Sequence, residues 1–519
     1  MTDTRRDVEN EDGNVGARTP EDSDVDKAWE QQNLLSLDGG GIRGYWTLLA
    51  LETLVDNIAL IEMDDPQQEF VAVDSSFAPL DYPDNALALA RKSRNTDSLF
   101  HSLTSHRLIA LLLGRFRMTV QDSLDEYRSL GDAVFGHPRM LTQRNAGVIK
   151  RSKYKAARLE KVVKDVTERR SEFQEHGTPQ LPLKEGVCQV CVTSLKTKAR
   201  TAAHPYFMRT YDGSKRTRYQ PEAITHIKTG LTSGTNDSVP STARRGPGMR
   251  HTPGDKLNFG EVQQLHIWQV ARAATAAISY FEPLKIQIAG EGESIFEDGG
   301  FGQLNNPSMR GKAEIKNLHG PGRLDIAVSI GTARREEAGG KRHSWGIIRS
   351  LAATVTDVDG AHQVMLDCCK PEEENFDYFR FNAEAEHALE IPLDEWEPKG
   401  IKAKITNQQA GTKTIQNIRN AYASWAIDPQ VQQDFRDCAR ALVRKRRVRA
   451  SKVSRWEAFA IATFYQCRIA PCSHSHGAVR RDTFKRHLEE NHPDVLPDQI
   501  DRVISDHKKN WIYRPARES

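Results

Sequence analysis

The chain has 519 residues, 38% of them hydrophobic and 28% charged, enough apolar material for two or three globular domains. No apolar stretch reaches the roughly 18 residues that a bilayer span requires, and a formal charge of +3 over this length draws the molecule as a whole neither to nucleic acid nor to an anionic membrane. Seven cysteines, odd in number and scattered, suit a reducing intracellular compartment, cytoplasmic or nuclear.

Residues 1–33 are acidic and polar without an apolar core, which predicts a disordered tail and no secretory leader. The apolar run Leu34 to Leu37 then meets Asp38-Gly39-Gly40-Gly41-Ile42-Arg43-Gly44 and a helical stretch from Tyr45 to Leu60. Strand, glycine turn and helix in succession outline an anion site: glycines let successive amides converge, and the helix turns its positive end to the same point. The anion is a phosphate or the oxyanion of an acyl transfer. The dinucleotide reading of G-x-G-x-x-G needs an acidic residue after the next strand, and Glu69 and Asp74 are too poorly framed to supply it. Leu108 to Val120 reads as a helix, and Lys153 to Phe173 as an amphipathic helix covering the core, with a membrane-facing role as the second reading. Cys188 and Cys191 read as buried strand thiols, and Cys368 and Cys369 as packing. Thr229 to Lys256, rich in Gly, Ser, Thr and Pro, predicts a surface loop. Residues 341–455 predict a mainly helical accessory region, clearest in Trp345 to Ala353 and Ile415 to Arg449. Its terminal basic run, Arg444 to Arg449, reads as a solvated helix face, against nuclear import, nucleic-acid contact or anionic-lipid attraction.

Far downstream, Phe296-Glu297-Asp298-Gly299-Gly300-Phe301-Gly302 runs into Asn305-Asn306-Pro307. D-G-G-G-x-R-G early, with D-G-G and N-N-P late, resembles the patatin-like phospholipases. Leu108 to Val120, Tyr206 to Asp212, Ile267 to Ala273 and Ser329-Ile330-Gly331-Thr332 agree, so the resemblance spans 34–335. It implies an α/β three-layer sandwich with a mainly parallel central sheet, and an intracellular acyl hydrolase of lipid metabolism and lipid degradation. Such an enzyme uses a serine-aspartate dyad and needs no catalytic cofactor, and its substrate is an acyl lipid or phospholipid at a peripheral membrane surface. The glycine loop, Gly39, Gly40, Gly41, Ile42, Arg43 and Gly44, is then the oxyanion hole, with Arg43 bracing it or meeting an anionic head group. Asp298 is the general base, carried by the D-G-G motif of Asp298, Gly299 and Gly300; read alone, it is a turn aspartate before two glycines.

The family's nucleophile turn, G-x-S-x-G after an apolar strand, is missing from this chain. The matching stretch, Ser102-Leu103-Thr104-Ser105-His106-Arg107, places Thr104 at the nucleophile position without a gap, and puts Ser102 and His106 where glycines belong. Ser105, one residue on, is the serine retained as nucleophile. Arg91 to Asp97 is too charged for the buried strand that should lead in. The departure is confined to 61–107, as an altered exon boundary would leave it. The alternative is a catalytically dead patatin-like protein that binds lipid or regulates, with an interaction module at its C-terminus.

In that module, 456–519, Cys467, Cys472, His487 and His492 are spaced C-x4-C-x14-H-x4-H, with Phe484 and Leu488 as apolar core. This resembles a two-cysteine, two-histidine zinc finger, closed around a structural zinc by two thiolates and two imidazoles, His487 lying on a helix from Arg480 to Glu490. His474 and His476 are competing ligands. One finger reads about three base pairs, so nucleic-acid contact through it is weak and protein contact is as plausible.

Overall fold

A computed structural model describes residues 22–64, 102–104, 107–116, 118–139, 152–170, 180–181, 188–198, 203–212, 264–277, 280–288, 292–300, 304–333, 358–370, 374–384, 387–452, 455–456, 463–470, 472 and 479–510. Thr229 to Lys256, Trp345 to Ala353, Ser105, His106, His474, His476 and the tail before residue 22 lie outside the described residues.

In chain order the elements are α1 (Asp22–Glu30), β1 (Gln32–Leu37), α2 (Gly44–Asp64), β2 (Ser102–Thr104), α3 (Arg107–Ala110), α4 (Val120–Phe135), α5 (Ala156–Arg170), β3 (Gln189–Lys198), β4 (His204–Arg209), α6 (Ile267–Thr275), β5 (Leu284–Ile288) and β6 (Gly292–Asp298). There follow α7 (Ser308–His319), β7 (Leu324–Ile330), α8 (Val358–Cys368), β8 (Asp377–Phe381), α9 (Gly400–Ile405), α10 (Thr412–Ala426), α11 (Pro429–Ala450), β9 (Thr463–Tyr465), α12 (Arg481–Asn491), α13 (Ile500–Asp506) and β10 (Lys508–Asn510).

β1 is buried along its whole length, as a parallel strand covered on both faces must be. It sits inside a mixed sheet of order β5-β6-β3-β2-β1-β7-β8, with β4 also on β3. β3, β2, β1, β7 and β8 pair in parallel, β4 and β6 pair antiparallel with β3, and β5 pairs antiparallel with β6. Alternation along β1 feeds two cores. Leu35 and Leu37 join the large one with α2, whose Trp46 packs on Trp425 and Tyr422 at centroid distances of 4.8 and 5.5 Å. Leu34 joins the second, with Ile315 of α7 and Met365 of α8. A mixed α/β fold with helices over both faces results.

Four expectations change. Residues 22–33, assigned to a disordered tail, form α1 and the start of β1. Val25 and Trp29, one helical turn apart, bury against Ala450 and Trp456, and that stripe outweighs the acidic composition. The region 341–455, expected as a mainly helical accessory region, supplies α8, α9, α10 and α11 among the described residues together with one strand, β8, paired to β7 from Ile326↔Asp377 to Ile330↔Phe381. Phe381 stacks at 4.1 Å on Phe435 of α11, within the core that holds β1 and α2. A strand does precede Leu108: β2 is three residues long and pairs with both β1 and β3, so Leu103 alone supplies the apolar content expected of a longer run. After α3 the chain widens into a π-helical turn, Leu111–Arg115, and a new helix begins at Val120, capped by Thr119, which accepts from the Asp122 amide at 3.0 Å.

The basic run is likewise no solvated face. Arg446 and Arg449 are buried, and Lys445 pairs with Asp325 at 2.6 Å. Arg446 lies over the Trp456 ring. Arg449 donates to the carbonyls of Ala28 at 2.9 Å and Gln31 at 3.0 Å, where α1 ends with acceptors its own ladder cannot satisfy. Arg449→Met should therefore cost about 2–4 kcal/mol by orphaning both carbonyls. A lowered Tm and faster proteolytic cleavage within α1 would register it.

Candidate functional site: a glycine loop at the sheet edge and a cysteine-histidine cluster

The glycine loop leaves β1 at the end of the sheet and is held from several sides. The amide of Asp38 donates to Ile330 O at 3.0 Å, that of Gly39 to Asn305 O at 3.0 Å, and that of Ile42 to Leu393 O at 2.8 Å. Tyr127 donates its hydroxyl to Gly41 O, and burial pushes that phenol well above its usual range, so it stays a donor. Asn306, the second asparagine of N-N-P, accepts from the Ser308 amide at 3.1 Å and opens α7. Gly40 and Gly41 have no hydrogen-bond partner for their amides among the described residues. Those two N–H groups, backed by α2, are what the loop offers an anion. Arg43 is buried, which suits bracing.

Gly41 has φ +54, and a Cβ there would stand 2.2 Å from Leu393 O. A Cβ on Gly40 would meet the Thr332 side chain at 2.5 Å. Gly41→Ala, strained in backbone and pressed against a carbonyl, should lose about 2–4 kcal/mol. Gly40→Ala should lose a similar amount without the φ strain, since Thr332 is buried and its Cβ, fixed to the backbone, would stand 2.7 Å from the added methyl. Thermal unfolding of the two variants checks both losses.

Register fixes where Asp298 lies. Cys191 of β3 pairs with Thr104 of β2 and with Arg209 of β4, while Ser194 pairs with Tyr206 of β4 and with Asp298 of β6. β2 and β6 therefore share one edge of β3, end to end, with β4 on the other. β2 runs up to the level of Cys191 and β6 runs down to that of Ser194, so about 10 Å of strand, three residues at 3.3 Å, separates Thr104 from Asp298. Both C-terminal ends converge on that gap. Because Ser36 pairs with Thr104, the glycine loop leaves the sheet at the same height. Asp298 is half-buried; its amide donates to Ala276 O at 3.0 Å and its Oδ1 accepts from the Gly300 amide at 2.5 Å. Ser105, in the link from β2 to α3, lies outside the described residues.

Sequence reasoning missed Tyr127, Leu393 and Arg380. Arg380 chelates Asp38 with both guanidinium nitrogens. An arginine between Phe379 and Phe381 in a strand is the one cue to a buried carboxylate partner.

The second site is compact. Cys467 Sγ lies 3.3 Å from His492 Nε2 and Cys472 Sγ 3.6 Å from His487 Nε2, and all four ligand atoms fall within 4.8 Å of one another. Tetrahedral zinc with thiolate and imidazole ligands requires ligand–ligand separations of about 3.3–3.8 Å. The cluster is thus shaped to hold a metal ion. His487 sits on α12, and His492 caps that helix. Phe484 and Leu488 are buried with Tyr465, Ile500 and Ile504. β9 pairs antiparallel with β10, from beyond α13, so the strand partner comes from the far end of the segment.

Among proteins of known name, the chain is similar to calcium-independent phospholipase A2-gamma of Oryctolagus cuniculus, 33% identical over 149 residues, 28% of this chain and 17% of that protein. The human protein of the same name is 24% identical over 370 residues, 70% of this chain and 36% of its own length. The Mus musculus protein is 32% identical over 149 residues, 28% and 18%. The matches thus span between 17% and 36% of these relatives. No family model matches the chain. Among the described residues no helix is long and apolar enough to cross a membrane.

Proposed function

We propose that the chain is a patatin-like lipid acyl hydrolase of phospholipase or lysophospholipase type, with Ser105 as nucleophile and Asp298 as base. The observation that carries this reading is the convergence of three chain segments at one end of the sheet: the glycine loop after β1, the C-terminal end of β2 at Thr104, and the D-G-G turn after β6. In this mechanism Ser105 Oγ attacks the ester carbonyl while the Asp298 carboxylate takes its proton. The oxyanion settles against the Gly40 and Gly41 amides, and the leaving alkoxide is reprotonated from Asp298. Water repeats the sequence on the acyl-enzyme. The phospholipase relatives support an acyl lipid as substrate, and in the same reading a membrane surface presents it. In the same reading zinc is the ion of the Cys467, Cys472, His487 and His492 cluster, structural in role, and the module contacts a protein or nucleic acid.

A non-catalytic, lipid-binding reading is favoured by one observation: no glycine flanks Ser105, so the close strand–helix approach of a nucleophile elbow lacks its usual small residues. Incubation of the full chain with phospholipid and lysophospholipid vesicles separates the two. Free fatty acid accumulating in proportion to protein is expected; binding to the vesicles without release would favour the second reading.

A further inference from the structure

The glycine loop is anchored by a charge from beyond the 34–335 stretch that carries the glycine-loop, D-G-G and N-N-P motifs. Arg380 of β8 donates from Nη1 to Asp38 Oδ1 at 3.0 Å and from Nη2 to Oδ2 at 2.5 Å, and from Nη1 also to Ser329 Oγ at 2.8 Å. Both partners of the ion pair are buried, with side-chain exposures of 7% and 3%. Asp38 is the first residue of D-G-G-G, and its own amide is held by Ile330 O of β7. Behind the pair, the Tyr378 hydroxyl lies 3.0 Å from His362 Nδ1 of α8. Burial pushes the Tyr378 phenol up to about 12, so it remains neutral beside these charges. A chain of polar contacts therefore runs across β8, β7 and β1 into the loop. A bidentate guanidinium–carboxylate pair fixes both distance and plane, which a single point charge does not.

We infer that Arg380 is the positioning residue of the glycine loop, setting the direction of the Gly40 and Gly41 amides through Asp38, and that β8 is part of the anion site. This rests on the reading of the loop as an oxyanion hole.

Hydrogen exchange followed by mass spectrometry on the full chain tests it, comparing the unaltered protein with Arg380→Gln, Arg380→Lys, Asp38→Asn and the double variant Asp38→Asn/Arg380→Gln. Exchange at the protected amides of Asp38, Gly39 and Ile42 should rise by about tenfold or more in Arg380→Gln, because one buried charge then lacks its partner. Arg380→Lys should recover part of the protection, and the double variant should exchange more slowly than the product of the two single effects, the mark of direct coupling. Protection in β5 and β6 should stay unchanged. An unaltered 38–44 segment in Arg380→Gln, or effects that simply multiply in the double variant, would overturn the assignment. Fluorophosphonate labelling of the same samples keeps the two readings apart. No labelling even of the unaltered protein, with loop protection still dependent on Arg380, would count against the hydrolase and leave the positioning role standing.

Discussion

Asp298→Asn is expected to lower acyl-ester hydrolysis by about 10,000-fold, the scale on which loss of one member of a nucleophile–base unit acts. The substitution is a clean one here. Asparagine keeps an oxygen that can accept from the Gly300 amide, so the turn after β6 survives while the base is lost. The loss should fall on kcat with KM little changed, and Tm should stay within a degree or two of the parent. Ser105→Ala should fall to the same floor, and the double variant no lower, because the two groups act as one unit. Ser102→Ala should retain most activity. Full activity in Asp298→Asn would mean that the aspartate is a turn residue alone.

The second large effect concerns the metal. Apparent zinc-binding energies of about 10–16 kcal/mol in finger peptides are folding energy outright, and a core of five buried side chains, Tyr465, Phe484, Leu488, Ile500 and Ile504, is too small to stand without such help. One zinc per chain is expected by elemental analysis. Chelation, or Cys467→Ala, should expose the segment from Thr463 to Asn510 to protease while leaving β1, β7 and α2 protected. His487→Ala and His492→Ala should do the same. A segment that resists protease equally with and without chelator would remove zinc from the account.

The legible parts of the sequence were those in which one local pattern does one thing. Leu34 to Leu37 before D-G-G-G reads as a buried strand and forms one, and Cys467, Cys472, His487 and His492 carry openly the spacing of a cluster that could hold a metal ion. Three features were hidden by longer-range chemistry. β2 has one leucine, and its place in the sheet comes from pairing with β1 and β3 rather than from its own composition. α1 looks like part of an acidic tail until Trp29 and Val25 find Ala450 and Trp456, more than 400 residues away in sequence. The basic run reads as a surface patch because its acceptors, Asp325 and the α1 carbonyls, are distant in the chain. Arg380 belongs to the same class, a strand cation whose carboxylate lies 342 positions earlier. The convergence of Thr104 and Asp298 follows from register alone, which single-sequence patterns do not encode.

The most direct measurement is to treat the full chain with a fluorophosphonate and locate the adduct by peptide mass spectrometry, since that reagent reacts only with an activated serine. The hydrolase account predicts one adduct per chain, on Ser105, lost in Asp298→Ala. An unmodified Ser105 in a folded, zinc-loaded protein, or an adduct that persists undiminished in Asp298→Ala, would contradict it.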